Sequence, residues 1–337
     1  MEKVCIMGAG SWGTAQALVL NKNGFAITLW GRPGEIEAIA AAGENRHYLP
    51  GLPVPKEISL TSDLHEAVQD AGMIVVAVPS QAVREVLQQL KAVYRPGTVL
   101  VNTAKGIEIN SGMRMSQVAR DVMGDSILQS YAVLSGPSHA EEVARCVPTA
   151  VTVASSCEST AFFVQDAYMS RSLRVYTNPD IAGVELGGAL KNIIALAAGM
   201  VVGLGYGDNT VAALMTRGLV EIIRMGVRLG GDHRTFTGLS GLGDMVVTCC
   251  SNFSRNRRAG ILIGKGYSMD DAMQEVGMVV EGIHTTKVVK HLADKLGIEM
   301  PITQSCYNIL YKQAPVSQEV TAIMCRAKRH EMEPLVD

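Results

Sequence analysis

Gly8-Ala9-Gly10-Ser11-Trp12-Gly13 follows a short apolar run, Lys3–Met7, and opens a helical pattern over Trp12–Asn23. No other stretch constrains the fold so tightly. Glycines at the first, third and sixth positions suit a strand that turns at once into a helix around an anion. Gly8 permits the tight turn, Gly10 lets the backbone approach a pyrophosphate, and Gly13 lets helix and strand pack closely. The helix N-terminus adds N–H donors and a partial positive charge. Glycine-rich turns also recur in proteins that bind nothing there. The strand–turn–helix context is what points to a dinucleotide.

The chain beyond this turn keeps alternating. Ala26–Trp30 reads as a second strand, and Met73–Val78 as a buried strand ending at Pro79-Ser80. Val83, Val86, Leu87 and Leu90 predict a helix over Gln81–Val93. Thr98–Asn102, Tyr131–Leu134 and Thr149–Ala154 read as further strands. Strands built from continuous apolar runs and separated by helices imply a mainly parallel, doubly wound sheet covered on both faces, an α/β Rossmann domain. Past Asn178-Pro179, a residue pair suited to a helix start, the patterns turn helical. Ile181–Met200, Thr210–Leu229, Arg255–Lys265, Ser268–Glu275, Thr285–Leu296 and Thr303–Tyr311 all predict helices. With 337 residues, two domains are expected: a dinucleotide-binding domain over 1–178 and an all-α substrate domain over 179–337.

The tip of the second strand bears on which nicotinamide cofactor is held. NAD-selective folds place an acid there for the ribose 2′-hydroxyl. Here the strand ends Leu29-Trp30-Gly31-Arg32, with no acid at the tip. Arg32 is available for a 2′-phosphate, which favours NADP over NAD. An ordinary surface arginine is the competing reading.

Four clusters speak to a substrate. Lys105 lies just past the end of a strand, the edge where open α/β sheets bind ligands. Ser135-Gly136-Pro137-Ser138-His139-Ala140 follows another strand and opens a helix, a second possible anion cradle. Gly241-Leu242-Gly243-Asp244 reads as a small-residue turn ending in an acid. Ser254-Arg255-Asn256-Arg257-Arg258 sets three arginines at a helix start. The helix dipole opposes cations there, and an anionic ligand would reverse that balance. A solvated basic face is the alternative. No His, Cys and Asp set has metal-ligand spacing, so no metal is expected.

Lys191 stands alone in GGALKNIIALAAGM, residues 187–200. Reduction of a ketone needs a proton for the developing alkoxide. A lysine can supply it, and its ordinary pKa near 10.4 falls on burial or beside another cation. Lys105 could be that cation, and Asn192 could hold the geometry. The alternative is a lysine that snorkels to the surface.

Composition removes several classes. A formal charge of −2 offers no global basic excess for nucleic acid. No uninterrupted apolar run reaches the roughly 18 residues of a membrane span. The seven cysteines are scattered with no CxxC, which suits thiols acting as small core residues in a reducing compartment. A cytoplasmic protein is expected.

Taken in chain order, these clusters resemble the bacterial-type NAD(P)-dependent glycerol-3-phosphate dehydrogenases. The resemblance is carried by GAGSWGTA (8–15), NRHYLPG (45–51), NTAKGIE (102–108), LSGPSHA (134–140), ALKNIIA (189–195), GLGD (241–244), SRNRR (254–258) and VVEG (279–282). It implies reversible reduction of dihydroxyacetone phosphate to sn-glycerol 3-phosphate for phospholipid synthesis, with NAD or NADP as cofactor. By position, Lys191 resembles the family's proton acceptor in the oxidation direction. Lys105, Gly136, Ser138, Asp244, Ser254, Arg255 and Asn256 resemble its substrate contacts. Ser11, Trp12, Arg32, Lys105, Ala140, Arg255, Val279 and Glu281 resemble its cofactor contacts, beside the glycines of the turn. The family commonly forms homodimers.

Overall fold

A computed structural model describes residues 2–328, 330 and 331. The chain divides into two compact units. One comprises residues up to Lys105 together with Met113–Ile181; the other comprises Gly106–Gly112 and the residues from Ala182 onward.

The first unit is built on one eight-stranded sheet: β1 (Lys3–Met7), β2 (Ala26–Trp30), β3 (Ser59–Thr61), β4 (Ala71–Val76), β5 (Val99–Asn102), β6 (Tyr131–Ser135), β7 (Thr149–Ala154) and β8 (Leu173–Asn178). Their spatial order is β3-β2-β1-β4-β5-β6-β7-β8. All pairings are parallel except β6 with β7. β1 lies between β2 and β4, so the chain reverses its direction of winding there. Ligands bind outside the carboxyl ends of such strands. The alternation of Val, Ile, Leu and Met with helices produces this sheet because parallel strands need both faces covered. Val4, Ile6, Leu29, Met73, Val75, Val101 and Leu134 are accordingly buried.

β5 begins one residue later than expected and β6 ends one residue later; three other differences are larger. β4 ends at Val76, two residues before the expected Val78, because the chain then bends through Pro79 into a short 3₁₀ turn, Ser80–Ala82. β3 and β8 have no counterpart in the sequence reading. β3 has only three residues, and β8 alternates, with Arg174 and Tyr176 exposed between buried Leu173 and Val175. An edge strand covered on one face does not show a continuous apolar run.

The second unit is helical. Its central helix, Ile181–Gly203, is buried at every residue from Gly183 to Val201. Asn178 Oδ1 accepts from Asp180 N–H at 2.8 Å just before it. This helix is long and apolar enough to cross a membrane, with mean hydropathy 1.6, but 89% of that window is buried inside the protein. Its apolar character therefore reflects a core position. Glycines set its packing. Gly199 and Gly203 lie against Gly260 and Gly264 of the Arg255–Gly264 helix so closely that a Cβ at any of them would sit 2.1–2.3 Å from the facing backbone carbonyl.

Glu221 is buried on the Asp208–Arg228 helix. It accepts from Ile302 N at 2.5 Å, Thr303 N at 3.1 Å and Thr303 Oγ1 at 3.0 Å. The two N–H groups are orphan donors at the start of Pro301–Lys312, where Pro301 has no N–H to satisfy. Burial pushes this carboxyl up to about 7 against the pull of those donors.

Among the described residues the cysteines are all free thiols. Cys5, Cys249 and Cys306 are the small core residues expected, but Cys146 and Cys157 are half-buried, and Cys250 and Cys325 are exposed.

Candidate active site

In the first unit the glycine turn can be tested residue by residue. Gly8 has φ +121°, and a Cβ on it would meet Ala77 O at 2.7 Å. A Cβ on Gly13 would stand 1.9 Å from Gly8 O. Both positions are glycine for reasons internal to the fold. Gly10 is different: among the described residues, its chain neighbours aside, a Cβ there would meet nothing within 4 Å. The space above Gly10 is open, as a cradle for a pyrophosphate must be. Among the described residues no side chain caps the N-terminus of the Ser11–Lys22 helix, and no acid lies in its first turn, so its N-terminal field favours an anion. Trp12 Nε1 is buried without a hydrogen-bond partner among the described residues. These features fit a dinucleotide.

One brace went unread in the sequence. Asn45 Nδ2 donates to Ala9 O and to Thr14 Oγ1, each at 2.8 Å, and so ties the turn to the first helix. Only its place in the NRHYLPG run marked it.

Gly10→Ala separates cofactor binding from folding. The variant is expected to keep its melting temperature within about 2 °C, since the methyl touches nothing. Nucleotide affinity should fall by about tenfold or more, because the methyl would occupy the space expected for the anion. Calorimetric titration with NADPH beside a thermal melt reads both. Unchanged affinity would remove Gly10 from the cradle.

Further along the same sheet, Lys105 Nζ donates to Gly136 O at 3.0 Å, and Ser138 Oγ donates to the same oxygen at 3.0 Å. Gly136 has φ +143° and approaches Val151 so closely that a Cβ would lie 2.9 Å from its Cα. Lys105, Gly136 and Ser138 are thus brought together. Ser135 Oγ beside them is buried without a partner among the described residues. The expected second anion cradle is slight: the helix there, Ala140–Ala144, has only five residues.

The second unit gathers another group. Lys191 is 5% exposed, so the snorkelling alternative does not hold. Its ammonium pairs with the Asp244 carboxylate and donates to Thr248 Oγ1 at 2.6 Å. Thr248 in turn donates to Asp244 O at 2.6 Å. Asp244 is 1% exposed. A carboxylate so deeply buried is tolerable because the ammonium neutralises it. The GLGD stretch is not an open turn. Leu239–Gly243 forms a single π-helical turn that runs directly into the Asp244–Cys250 helix. Such turns redirect a side chain that a regular helix would aim elsewhere. Thr248 was missed in the sequence; its only signal was its i+4 spacing from Asp244.

Three helices meet at Asn256. Its Nδ2 donates to Asn192 Oδ1 at 2.9 Å, and its Oδ1 accepts from Gly282 N at 2.8 Å. Asn192, Asn256 and Gly282 sit beside Lys191, Arg255 and Glu281 in sequence, so this bridge sets the spacing of the segments that carry them. Ser254 Oγ accepts from Arg257 N at 3.2 Å as a helix cap. Arg257 Nη1 donates to Asn252 Oδ1 at 2.7 Å. The three arginines therefore do not form a single free basic face. Arg255 is the first helical residue and half-buried, Arg257 is tied to its own loop, and Arg258 is exposed. Glu281 begins the next helix, Glu281–Leu296, and Val279 before it is 42% exposed.

Comparison with known proteins gives a consistent result. The chain matches the models for the N-terminus of NAD-dependent glycerol-3-phosphate dehydrogenase over residues 3–161 and for its C-terminus over residues 180–321. It is 58% identical to a glycerol-3-phosphate dehydrogenase [NAD(P)+] of Syntrophomonas wolfei, covering 100% of this chain and 98% of that protein. It is 55% identical to the protein of the same description from Moorella thermoacetica, covering 98% of each. The crystal structure of glycerol-3-phosphate dehydrogenase from Coxiella burnetii superposes with a TM-score of 0.92 at 39% identity, over 96% of this chain and 99% of that one.

Proposed function

We infer the chemistry from one premise: this chain belongs to the NAD-dependent glycerol-3-phosphate dehydrogenase family. It catalyses the reversible, NAD(P)H-dependent reduction of dihydroxyacetone phosphate to sn-glycerol 3-phosphate, a precursor for glycerophospholipid synthesis. The observation that carries the reading within this chain is the buried Lys191–Asp244–Thr248 group.

When bound, the nicotinamide supplies the hydride that reduces the ketone carbon. The rest falls to side chains. Lys191 donates a hydrogen bond and then a proton to the carbonyl oxygen as it becomes an alkoxide, and takes the proton back in the oxidation direction. Asp244 pairs with the ammonium and fixes its direction, and Thr248 fixes a second direction. An ammonium held this way needs little reorganisation as charge develops on the oxygen. Arg255 and the helix start at Ser254 and Asn256 hold the substrate phosphate, while Asn192 and Gly282 keep Asn256 in place. Lys105, Gly136 and Ser138 contribute polar contacts from the first unit. The Gly8–Gly13 turn, Ser11 and Trp12 hold the dinucleotide, with Arg32, Ala140, Val279 and Glu281 as its further contacts.

Nicotinamide absorbance with dihydroxyacetone phosphate and either NADPH or NADH tests this directly. Consumption of the reduced nucleotide is expected. No consumption with either, in protein shown to bind the nucleotide, would move the assignment to another substrate.

A homodimer is the proposed assembly, in a cytoplasmic setting that suits its free thiols. The Val316–Met324 helix buries none of its residues, and Met324 is 79% exposed. Val320 and Ile323 of this helix line a cavity of about 670 Å³ together with Met200, Leu214 and Ile302. Sedimentation velocity should return twice the 35.9 kDa chain mass; a monomer at assay concentrations would refute the dimer.

A further inference from the structure

No acid follows β2 directly, yet the fold delivers one to its tip. Glu35 is the third residue of the Pro33–Ala42 helix, and its side chain turns back on Arg32. The carboxylate pairs with the Arg32 guanidinium, accepts from Arg32 N at 3.4 Å, and accepts from Tyr48 Oη at 3.2 Å. The guanidinium and the Arg32 N–H hold Glu35 below the ordinary carboxylate range, so it is an ionised acceptor at neutral pH. Dinucleotide folds read the ribose 2′ position with one of two groups: an acid some 20 residues past the glycine turn for a hydroxyl, or an arginine for a phosphate. Here both stand at one place, bonded to each other.

We propose that Arg32 and Glu35 form a paired reader of the cofactor's ribose 2′ position. Glu35 accepts the 2′-hydroxyl of NAD(H), and Arg32, released from Glu35, takes the 2′-phosphate of NADP(H). The two groups differ in mobility in the way this requires. The Arg32 side chain is 77% exposed and that of Glu35 only 23%. An exposed ion pair of this kind is held by a factor of about 5 or less, so the guanidinium leaves readily. Glu35 stays, because Tyr48 and the Arg32 N–H still hold it. A 2′-phosphate then gains the guanidinium and meets the repulsion of a carboxylate that does not withdraw. Glu35 thus sets a limit on the NADP preference that Arg32 alone would confer. Tyr48 acts through Glu35 and is a positioning residue.

This inference rests on the dinucleotide-binding part of the reading above and not on the substrate. Its test is equilibrium binding without triose phosphate. Nicotinamide fluorescence gives affinities for NADH and NADPH, and displacement gives them for 5′-ADP and 2′,5′-ADP. Glu35→Gln should weaken NADH by about threefold or more and strengthen NADPH and 2′,5′-ADP by about threefold to fivefold. Arg32→Gln should weaken NADPH and 2′,5′-ADP by about tenfold or more, with NADH changed less than about twofold. Tyr48→Phe, which loses a single hydroxyl, should weaken NADH more than NADPH. Opposite signs for the two nucleotides in Glu35→Gln are the signature, since a purely structural role moves both the same way. A shift of both in one direction, or of neither, overturns the paired reader while leaving the dehydrogenase assignment standing. Wild-type protein that binds neither nucleotide overturns both.

Discussion

Lys191→Ala should lower the turnover of dihydroxyacetone phosphate reduction by about 10²-fold or more while NADPH still binds. The size follows from what general acid catalysis contributes when the proton donor is fixed in place. Binding should survive because the glycine turn proposed to hold the pyrophosphate belongs to the other compact unit. One complication is structural. Removing the lysine leaves Asp244 buried and unpaired, and breaking a buried pair from one side costs about 3–5 kcal/mol. Loss of turnover could then report partial unfolding. The double variant Lys191→Met with Asp244→Asn removes both charges and so most of that cost. It should melt closer to wild type than Lys191→Ala and be just as inactive. Small primary amines added to Lys191→Ala should restore part of the rate. Near-normal kcat in folded Lys191→Ala would remove Lys191 from the chemistry.

Gly260→Ala should be among the most disruptive conservative changes in the helical unit. Its Cβ would stand 2.1 Å from Leu196 O and 2.9 Å from Gly199 Cα, and neither backbone atom can yield as a side chain would. The two helices must separate. Overpacking of this kind costs about 1–3 kcal/mol or more. For a unit of this size that lowers the melting temperature by roughly 2–12 °C. The displacement also reaches function. Asn256 lies one turn before Gly260 on the same helix, and its 2.9 Å bond to Asn192 is the link to the Lys191 helix. Turnover should therefore fall even at temperatures where the variant is folded. Gly207→Ala serves as the control, since a Cβ there meets nothing within 4 Å. A Gly260→Ala protein that melts and turns over like wild type would show that the glycine seam is not a constraint.

The fold was legible wherever one local rule sufficed. Lys3–Met7, Ala26–Trp30 and Thr149–Ala154 were read with the bounds they have in the structure, because a buried parallel strand writes itself as a continuous apolar run. The glycine spacing of the turn and the conspicuous position of Lys191 were equally open to reading. β3 and β8 were not, since a three-residue strand and an alternating edge strand carry little pattern. The acid at the tip of β2 was passed over for a related reason. It comes from Glu35 through a side chain folding back over one helical turn, and the strand itself contains no trace of it.

By itself, then, the sequence determined the doubly wound sheet, the helical second half, the place of the glycine turn and the family. Each of these rests on residues close together in the chain, where backbone sterics and burial periodicity act. Only the tertiary structure decided which partners the chemically important side chains have. Lys191 meets Asp244 and Thr248 across 53 and 57 residues, Asn256 meets Asn192 across 64, and Gly260 fits Gly199 across another helix face. Such pairings depend on how whole helices pack. A buried ammonium or amide will form its bonds with whichever group that packing brings within reach.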